Sequence, residues 1–175
     1  MRRLGVNIDH VATVRNARAS YHPDPFTIAK QVMKIGADSV TIHLREDRRH
    51  IKDNDVIKIC KNRNIKTNLE ISLNKDILKI ALKNKPNFIC IVPEKRKEIT
   101  TEGGLNLNFR KNHLAKIISK FKKNKIRVSL FIEPKLTDIK MAKDFKADCI
   151  EIHTGKICRL VNSKKNFKKE FLIIK

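Results

Sequence analysis

Residues 39–50 of the chain read SVTIHLREDRRH. The first six letters are mostly apolar or β-branched, and the remainder is almost entirely charged. Similar apolar runs recur along the chain as LGVNID (4–9), KTNLEIS (66–72), FICIVPE (88–94), RVSLFIE (127–133) and CIEIHTG (149–155). Continuous apolar runs of this length are typical of parallel strands covered by helices. We therefore predict six β-strands that alternate with helices.

The segments between these runs carry signals for helix ends. The first helix of the repeating pattern is predicted to begin after an N-cap at Asp24, with Pro25 at its first position, and to end before Gly36. Later helices are predicted to be capped in the same way by Asp53, Asn74 and Thr137. One helix carries apolar residues at positions i, i+3, i+4 and i+7, which predicts a face packed on the sheet: Leu114, Ile117, Ile118 and Phe121.

Six alternating units fit either an open doubly wound sheet or an eight-stranded barrel. Hydrophobic periodicity does not separate these two folds. A dinucleotide-binding fold of the first kind has a GxGxxG motif after its first strand, whereas residues 7–18 read NIDHVATVRNAR and contain no glycine. The missing glycines argue against the dinucleotide-binding alternative.

The length and composition predict one soluble domain over residues 1–175. Hydrophobic residues make up 41% of the chain and charged residues 33%, and no apolar run reaches the length of a membrane span. No low-complexity linker divides the chain, and its first ten residues, MRRLGVNIDH, lack the apolar core of a signal peptide. We therefore expect a cytoplasmic protein.

The formal net charge of +22 raises the alternative of a nucleic-acid-binding protein. The lysines are spread over the polar positions of almost every predicted helix, without the interleaved aromatic residues of a base-stacking surface. This spread favours surface lysines over a nucleic-acid site. Six arginines instead follow strand-like runs and are candidate ligands for the phosphate of a small molecule: Arg15, Arg18, Arg45, Arg48, Arg49 and Arg96.

The four cysteines are scattered and form no CxxC pair, which argues against a metal or redox site. We expect all of them to be reduced.

The end of the first strand-like run gathers several polar groups. Asn7, Asp9 and His10 are followed by Arg15 and Arg18, a set that can bind a polar, phosphorylated substrate. A second interpretation stays open, in which Asp9 and Arg18 only tie down a loop.

The second, third and sixth runs contain candidates for proton transfer. His43 and Arg45 share one face of the second strand, and a histidine at a strand end suits proton transfer near neutral pH. A structural ion-pair network is the alternative for the charges of residues 45–50. Glu70 and Glu151 are carboxylates within apolar strands and must be paired, hydrogen-bonded or functional. In the sixth run, we interpret His153 as structural.

Residues 93–106 form a long polar connection with Gly103 and Gly104 side by side. Together with the hydroxyls of Thr100 and Thr101, the loop suits closure over a phosphorylated ligand. An ordinary surface loop explains the same residues.

Taken together, these strings resemble the pyridoxine 5′-phosphate synthase family over residues 4–155. The resemblance rests on GVNIDHVATVRNAR, GADSVTIHLREDRRHI, TNLEIS, VPEKRKEITTEGGLN, VSLFIE and EIHTG, in that order and at suitable separations. It implies a (β/α)8 TIM barrel that assembles into octamers. It also implies condensation of 1-deoxy-D-xylulose 5-phosphate with 3-amino-2-oxopropyl phosphate, without a metal or organic cofactor.

The resemblance also implies roles for individual residues. His43 and Glu70 would transfer protons, and Glu151 would stabilise charge that develops in the transition state. Asn7 and Arg18 would hold the amino-ketone phosphate. The pentulose phosphate would be held by Asp9, His10, Arg45, His50 and Thr100.

The chain departs from the family at its end. Family barrels continue through a seventh and an eighth strand, with a further catalytic histidine and a glycine-rich phosphate site, whereas here the last residues read VNSKKNFKKEFLIIK. We therefore expect about six βα units, with the last two missing. Two hypotheses remain, an enzyme of this family or a catalytically inactive remnant that folds partly or self-associates.

Overall fold

The computed structural model describes residues 2–94, 103–109 and 111–174. It contains six β-strands, in agreement with the six predicted runs. Their bounds are β1 Gly5–Asn7, β2 Ser39–His43, β3 Thr67–Ile71, β4 Phe88–Ile91, β5 Arg127–Ile132 and β6 Cys149–Ile152.

Helices follow each strand. Their bounds are α1 Asp9–Ala17, α2 Pro25–Lys34, α3 Asp53–Lys61, α4 Lys75–Asn84, α5 Lys111–Lys123, α6 Leu136–Asp144, α7 Gly155–Asn162 and α8 Lys168–Ile174. None of the helices that the structure describes is both long and apolar enough to cross a membrane.

All six strands are parallel and lie in the order of the sequence, β1-β2-β3-β4-β5-β6. A doubly wound sheet reverses its strand order at a switch point, whereas a TIM barrel adds each strand beside the previous one. The predicted barrel fold, with six βα units, is therefore confirmed. Among the described residues β1 and β6 each pair on one side only, so they form the two edges of the sheet.

The two faces of the sheet differ in chemistry. One face packs its aliphatic side chains into the hydrophobic core with the helices, and Ile42, Leu69, Ile89 and Leu130 are fully buried there. The predicted apolar stripe of α5 is confirmed, since its members lie in the same core: Leu114, Ile117, Ile118 and Phe121. Side chains alternate along a strand, so the opposite face, which lines a barrel's interior, receives the polar residues of the same strands.

The helix ends were predicted in part. Asp24 caps α2 by accepting the N–H of Thr27, Gly36 follows with φ +107°, and Asn74 caps α4. The predictions for two other caps are wrong, because α3 and α6 begin one and two residues earlier than expected. Lys52 and Lys135 occupy the N-cap positions, while Asp53 and Thr137 lie within the first turns.

The first strand is shorter than the run that predicted it. The Asn7 side-chain oxygen accepts the backbone N–H of Asp9 at 2.9 Å, a local turn that ends β1 and starts α1. Asp9 and His10 therefore lie in the first turn of a helix, not on the strand.

Candidate functional site

A histidine and a carboxylate face each other at the carboxyl ends of β2 and β3. His43 and Glu70 are direct neighbours in the parallel register, which places both side chains on the same face of the sheet. The Nδ1 atom of His43 lies 3.6 Å from Oε2 of Glu70, and both side chains are largely buried. The pair is positioned for proton exchange between the imidazole and the carboxyl group.

A second carboxylate, Glu94, lies on the other side of the same imidazole. It follows the end of β4, and its side chain is 2% exposed. Its Oε2 atom is 3.7 Å from Nε2 of His43, and its Oε1 atom is 3.5 Å from Nε of Arg45. Oε1 also accepts the backbone N–H of Glu46 at 2.9 Å. His43 therefore lies between two carboxylates, one at each ring nitrogen.

Asp9 fixes the backbone beneath this histidine. One carboxylate oxygen accepts the N–H of His43 at 2.7 Å, and the other accepts the side-chain amide of Asn7 at 2.9 Å. The first oxygen is also 3.9 Å from Nδ1 of His50, whose ring centroid lies 6.0 Å from that of His43. The predicted residues Asn7, Asp9, His43 and His50 are thus brought together.

The two carboxylates beside His43 differ in their protonation. Burial raises the pKa of Glu70 from 4.5 to about 7, with further increases from the charges of Glu151 and Asp9 and a decrease from His43. Burial also acts to raise the pKa of Glu94, but the contacts with His43 and with the N–H of Glu46 outweigh it, and the pKa is lowered overall. Near neutral pH, Glu94 is ionised, whereas Glu70 is present in both its protonated and its ionised form.

The raised pKa of Glu70 predicts a pH-dependent stability. A carboxyl group whose pKa is higher in the folded state contributes stability at pH values below its unfolded-state pKa, which is 4.5. This contribution is lost as the pH rises through the folded-state pKa of about 7. Glu70→Gln cannot ionise. The difference in the free energy of unfolding, Glu70→Gln minus parent, is expected to be about 2 kcal/mol larger at about pH 8 than at about pH 5.

Urea unfolding of both proteins at the two pH values measures this difference. Glu133→Gln is the matched control, because Glu133 also lies at a strand end but the pKa of its carboxyl is lowered, despite burial, by the Gly104 N–H and His153. A difference between Glu70→Gln and the parent that does not change with pH would show that Glu70 ionises in its ordinary range.

Glu151 approaches the same region from β6. It is half-buried and lies opposite Phe131 of β5 in the register. After burial itself, its charge is the largest contribution raising the pKa of the Cys90 thiol, and it also raises the pKa of Glu70. Cys90 lies beside Glu70 in the register and is fully buried, and its raised pKa keeps the thiol neutral.

Other predicted ligands lie at the rim. Asn7 on β1, His10 on α1 and Arg18 directly after α1 are exposed. Arg18 lines a groove with His22 and Asp24. Thr100 and Arg96 lie outside the described residues.

Four of the candidate arginines have carboxylate partners among the described residues, and three of these pairs lie outside the contacts of His43. Arg15 forms a two-pronged pair with Asp55 at 2.7 and 2.9 Å, which ties α1 to α3. Arg48 pairs with Asp53, and Arg49 pairs with Asp47 at 2.6 Å. For these three residues the geometry supports the structural ion-pair alternative. Arg45 is 4% exposed and also has a carboxylate partner, Glu94, which lies beside His43.

His153, which was interpreted as structural, has a partner outside the cluster. Its Nδ1 atom lies 2.8 Å from Oε1 of Glu133, and its ring packs at 5.4 Å from that of Phe131. The same Glu133 oxygen accepts the N–H of Gly104 at 2.7 Å. A side chain at Gly104 would collide with the backbone of Ile132 and Glu133, so the second glycine allows this loop to approach β5.

Sequence reasoning missed Glu94. It is the last letter of the run FICIVPE, and the rule that strand ends carry functional groups applies to it as much as to His43. Glu94 also belongs to the long polar connection of residues 93–106, so its position at a strand end does not stand out in the sequence.

Comparison with known proteins gives one family and several relatives. The model of the family described as "Pyridoxal phosphate biosynthesis protein PdxJ" matches residues 4–174. A pyridoxine 5′-phosphate synthase of Pelagibacter ubique is 71% identical over 175 residues, which are 100% of this chain and 73% of the relative. The enzyme of the same name from Zymomonas mobilis is 51% identical over 160 residues, which are 91% of this chain and 62% of the relative.

Solved structures share the fold at low sequence identity. The aldolase QR15 matches with a TM-score of 0.55 and 14% identity, over 87% of this chain and 77% of the other. A phosphoribosylanthranilate isomerase from Thermotoga maritima matches with a TM-score of 0.51 and 14% identity, over 91% of this chain and 69% of the other. These two similarities concern the fold alone.

Proposed function

Because the chain belongs to the family of the pyridoxal phosphate biosynthesis protein PdxJ, we propose that its cluster of strand-end residues is a pyridoxine 5′-phosphate synthase site. The reaction condenses 1-deoxy-D-xylulose 5-phosphate with 3-amino-2-oxopropyl phosphate to give pyridoxine 5′-phosphate. It takes place in the cytoplasm, in a homo-oligomer that is an octamer by resemblance to the family, and requires no metal or organic cofactor.

The observation that carries this proposal is the contact between His43 and Glu70. Imine formation, loss of phosphate, dehydration and ring closure each move protons, so the reaction needs groups that gain and lose protons near neutral pH. A carboxyl whose pKa burial raises to about 7, placed 3.6 Å from an imidazole nitrogen, supplies such a pair. His43 and Glu70 are the proton-transferring residues in this proposal, and Glu151 stabilises positive charge that develops on the substrate.

The substrates are anions, and the cluster and the exposed residues around it include groups that bind anions. Arg45 and His50 bind the pentulose phosphate together with Asp9, His10 and Thr100, while Asn7 and Arg18 bind the amino-ketone phosphate. The exposed positions of Asn7, His10 and Arg18 leave them accessible to ligands. Asp9 also has an indirect role in this proposal, because its carboxylate accepts the backbone N–H of His43 and so fixes the position of that residue.

The direct test is an assay with both substrates that detects pyridoxine 5′-phosphate, accompanied by titration of each substrate alone. We expect the 175-residue chain to bind the pentulose phosphate, because all its proposed ligands are in the chain. Absence of binding in a folded sample, as judged by circular dichroism, would contradict the proposed site.

Arg45→Lys tests the phosphate contact without changing the net charge. The lysine keeps the positive charge but loses the planar pair of donors that matches a phosphate. Since a hydrogen bond between charged groups contributes about 1.5–3 kcal/mol, the Kd for 1-deoxy-D-xylulose 5-phosphate is expected to rise about tenfold or more. Calorimetric titration measures it.

Arg49→Lys is the matched control for Arg45→Lys. Arg49 lies in the same segment, but its guanidinium pairs with Asp47 at the surface. We expect this variant to bind like the parent. Equal Kd values for Arg45→Lys and Arg49→Lys would exclude a two-pronged phosphate contact at Arg45.

A further inference from the structure

Glu94 is a buried carboxylate to which the proposed synthase assigns no role. Its side chain is 2% exposed and reaches three groups of one short segment, the ring of His43, the guanidinium of Arg45 and the N–H of Glu46. A buried charge is costly unless it is paired and hydrogen-bonded. A carboxylate placed here is therefore either a structural partner of Arg45 or a group that controls His43.

Glu94 reaches this position because the chain continues to pair with its neighbour beyond the end of β4. The N–H of Val92 donates to the carbonyl of Ile71 at 2.9 Å, so the chain stays beside β3 up to Pro93. Glu94 then turns its side chain across the end of β3 to reach β2. The Glu46 side chain makes a second link, because its Oε1 atom accepts the hydroxyl of Ser72 at 3.0 Å.

The two oxygens of Glu94 are used differently. Oε1 accepts the N–H of Glu46 and faces Arg45, so this oxygen is committed to accepting. Oε2 and Nε2 of His43 face each other at 3.7 Å, and neither atom has a hydrogen-bond partner among the described residues. A proton on Nε2 would satisfy both atoms, whereas a bare Nε2 would place a lone pair against a carboxylate.

We propose that Glu94 is a positioning residue that keeps the proton of His43 on Nε2 and thereby leaves Nδ1 to exchange a proton with Glu70. This inference rests on the proposed function, since it assigns the direction of proton transfer in that site. The mobile proton then moves only between Nδ1 of His43 and Glu70. The other proton stays on Nε2 of the ring and faces Glu94.

The charged and titratable groups around His43 are consistent with this assignment. Glu70 faces Nδ1 from β3, and Glu94 faces Nε2 from the end of β4. Asp9 from α1 is occupied by the backbone N–H of His43, while Arg45 and His50 follow β2 itself. Burial raises the pKa of Glu70 to about 7, whereas the pKa of Glu94 is lowered overall, so Glu94 is the ionised acceptor at neutral pH.

Glu94→Gln gives a sharp test because an amide has one accepting and one donating end. Glu46 N–H and Arg45 both require an acceptor on the Oε1 side, so the amide oxygen is expected to stay there. The amide NH2 group then faces Nε2 of His43 and donates to it. The substitution should therefore move the histidine proton from Nε2 to Nδ1.

The measurement is nitrogen NMR of the 175-residue chain, with labelled histidine, at about pH 7 and without substrate. We expect Nε2 of His43 to be protonated in the parent and unprotonated in Glu94→Gln. Glu94→Asp keeps a carboxylate and is expected to keep the Nε2 proton. The matched control is Glu133→Gln, which removes a carboxylate from His153 and should leave the signals of His43 unchanged.

Two outcomes would overturn the proposal. The first is an unprotonated Nε2 in the parent, a result that needs no variant and therefore no folded mutant. The second is a protonated Nε2 in a folded Glu94→Gln, which would leave Glu94 with a structural role towards Arg45. Because no substrate is present, neither result depends on whether the chain is a synthase, and the substrate assay tests that point separately.

Discussion

Replacing His43 by Ala or Glu70 by Gln is expected to lower the rate of pyridoxine 5′-phosphate formation by a factor of about 10²–10⁴. Each substitution removes one partner of the contact between Nδ1 and Oε2 at 3.6 Å. Glu70→Gln keeps the shape of the side chain, so its loss of rate reports the loss of an ionisable group. The KM values should change much less than kcat, because neither residue is proposed to bind a phosphate.

The assay for these variants uses a version of the chain extended with the part of the Pelagibacter ubique relative that the match does not cover. Glu133→Gln serves as the control variant here too, because its carboxylate contacts His153 and Gly104 and lies outside the proposed proton path. Turnover within a few fold of the parent in either test variant would remove that residue from the mechanism.

The second large effect concerns the length of the polypeptide. A polypeptide of these 175 residues is expected to form product at least about 10²–10⁴ times more slowly than the extended version. Family resemblance places a further catalytic histidine and a phosphate site on the seventh and eighth strands. The loss of a general acid and of a phosphate clamp should compound, because the clamp positions the groups that react.

Side-by-side assays of the two polypeptides at equal concentration measure this effect, and titration with the pentulose phosphate alone checks that the shorter one still binds. We expect binding to be retained while turnover is lost. If the 175-residue polypeptide turned over as fast as the extended version, another group of these 175 residues would have to perform the role that the resemblance gives to that histidine.

Much of the fold could be predicted because it depends on local patterns. The six strands follow from apolar runs, and the buried face of α5 follows from helical spacing. The choice of a barrel over a doubly wound sheet rested on the resemblance, since the strand order that separates the folds is set by tertiary packing. The caps predicted at Asp53 and Thr137 failed because those helices begin one or two residues earlier.

Of the candidate site, only the residues in or at the ends of apolar strands could be predicted. His43 and Glu70 were chosen because polar groups in apolar strands are conspicuous, and the register places them side by side. The pairing of Arg15 with Asp55 joins residues forty positions apart, and no spacing rule connects them. The contacts of Glu94 have the same character, since its partner His43 ends a strand two places away in the sheet and its partner Arg45 follows that strand.

In a polypeptide of these 175 residues, the one-sided pairing of β1 and β6 has a consequence for behaviour in solution. Edge strands offer their backbone groups to other chains, and many proteins discourage such association with charge. A net charge of +22 makes copies of this chain repel one another. At physiological salt the Debye length is about 8 Å, so added salt weakens that repulsion without covering the edges. We therefore expect the self-association of a polypeptide of these 175 residues to increase with ionic strength.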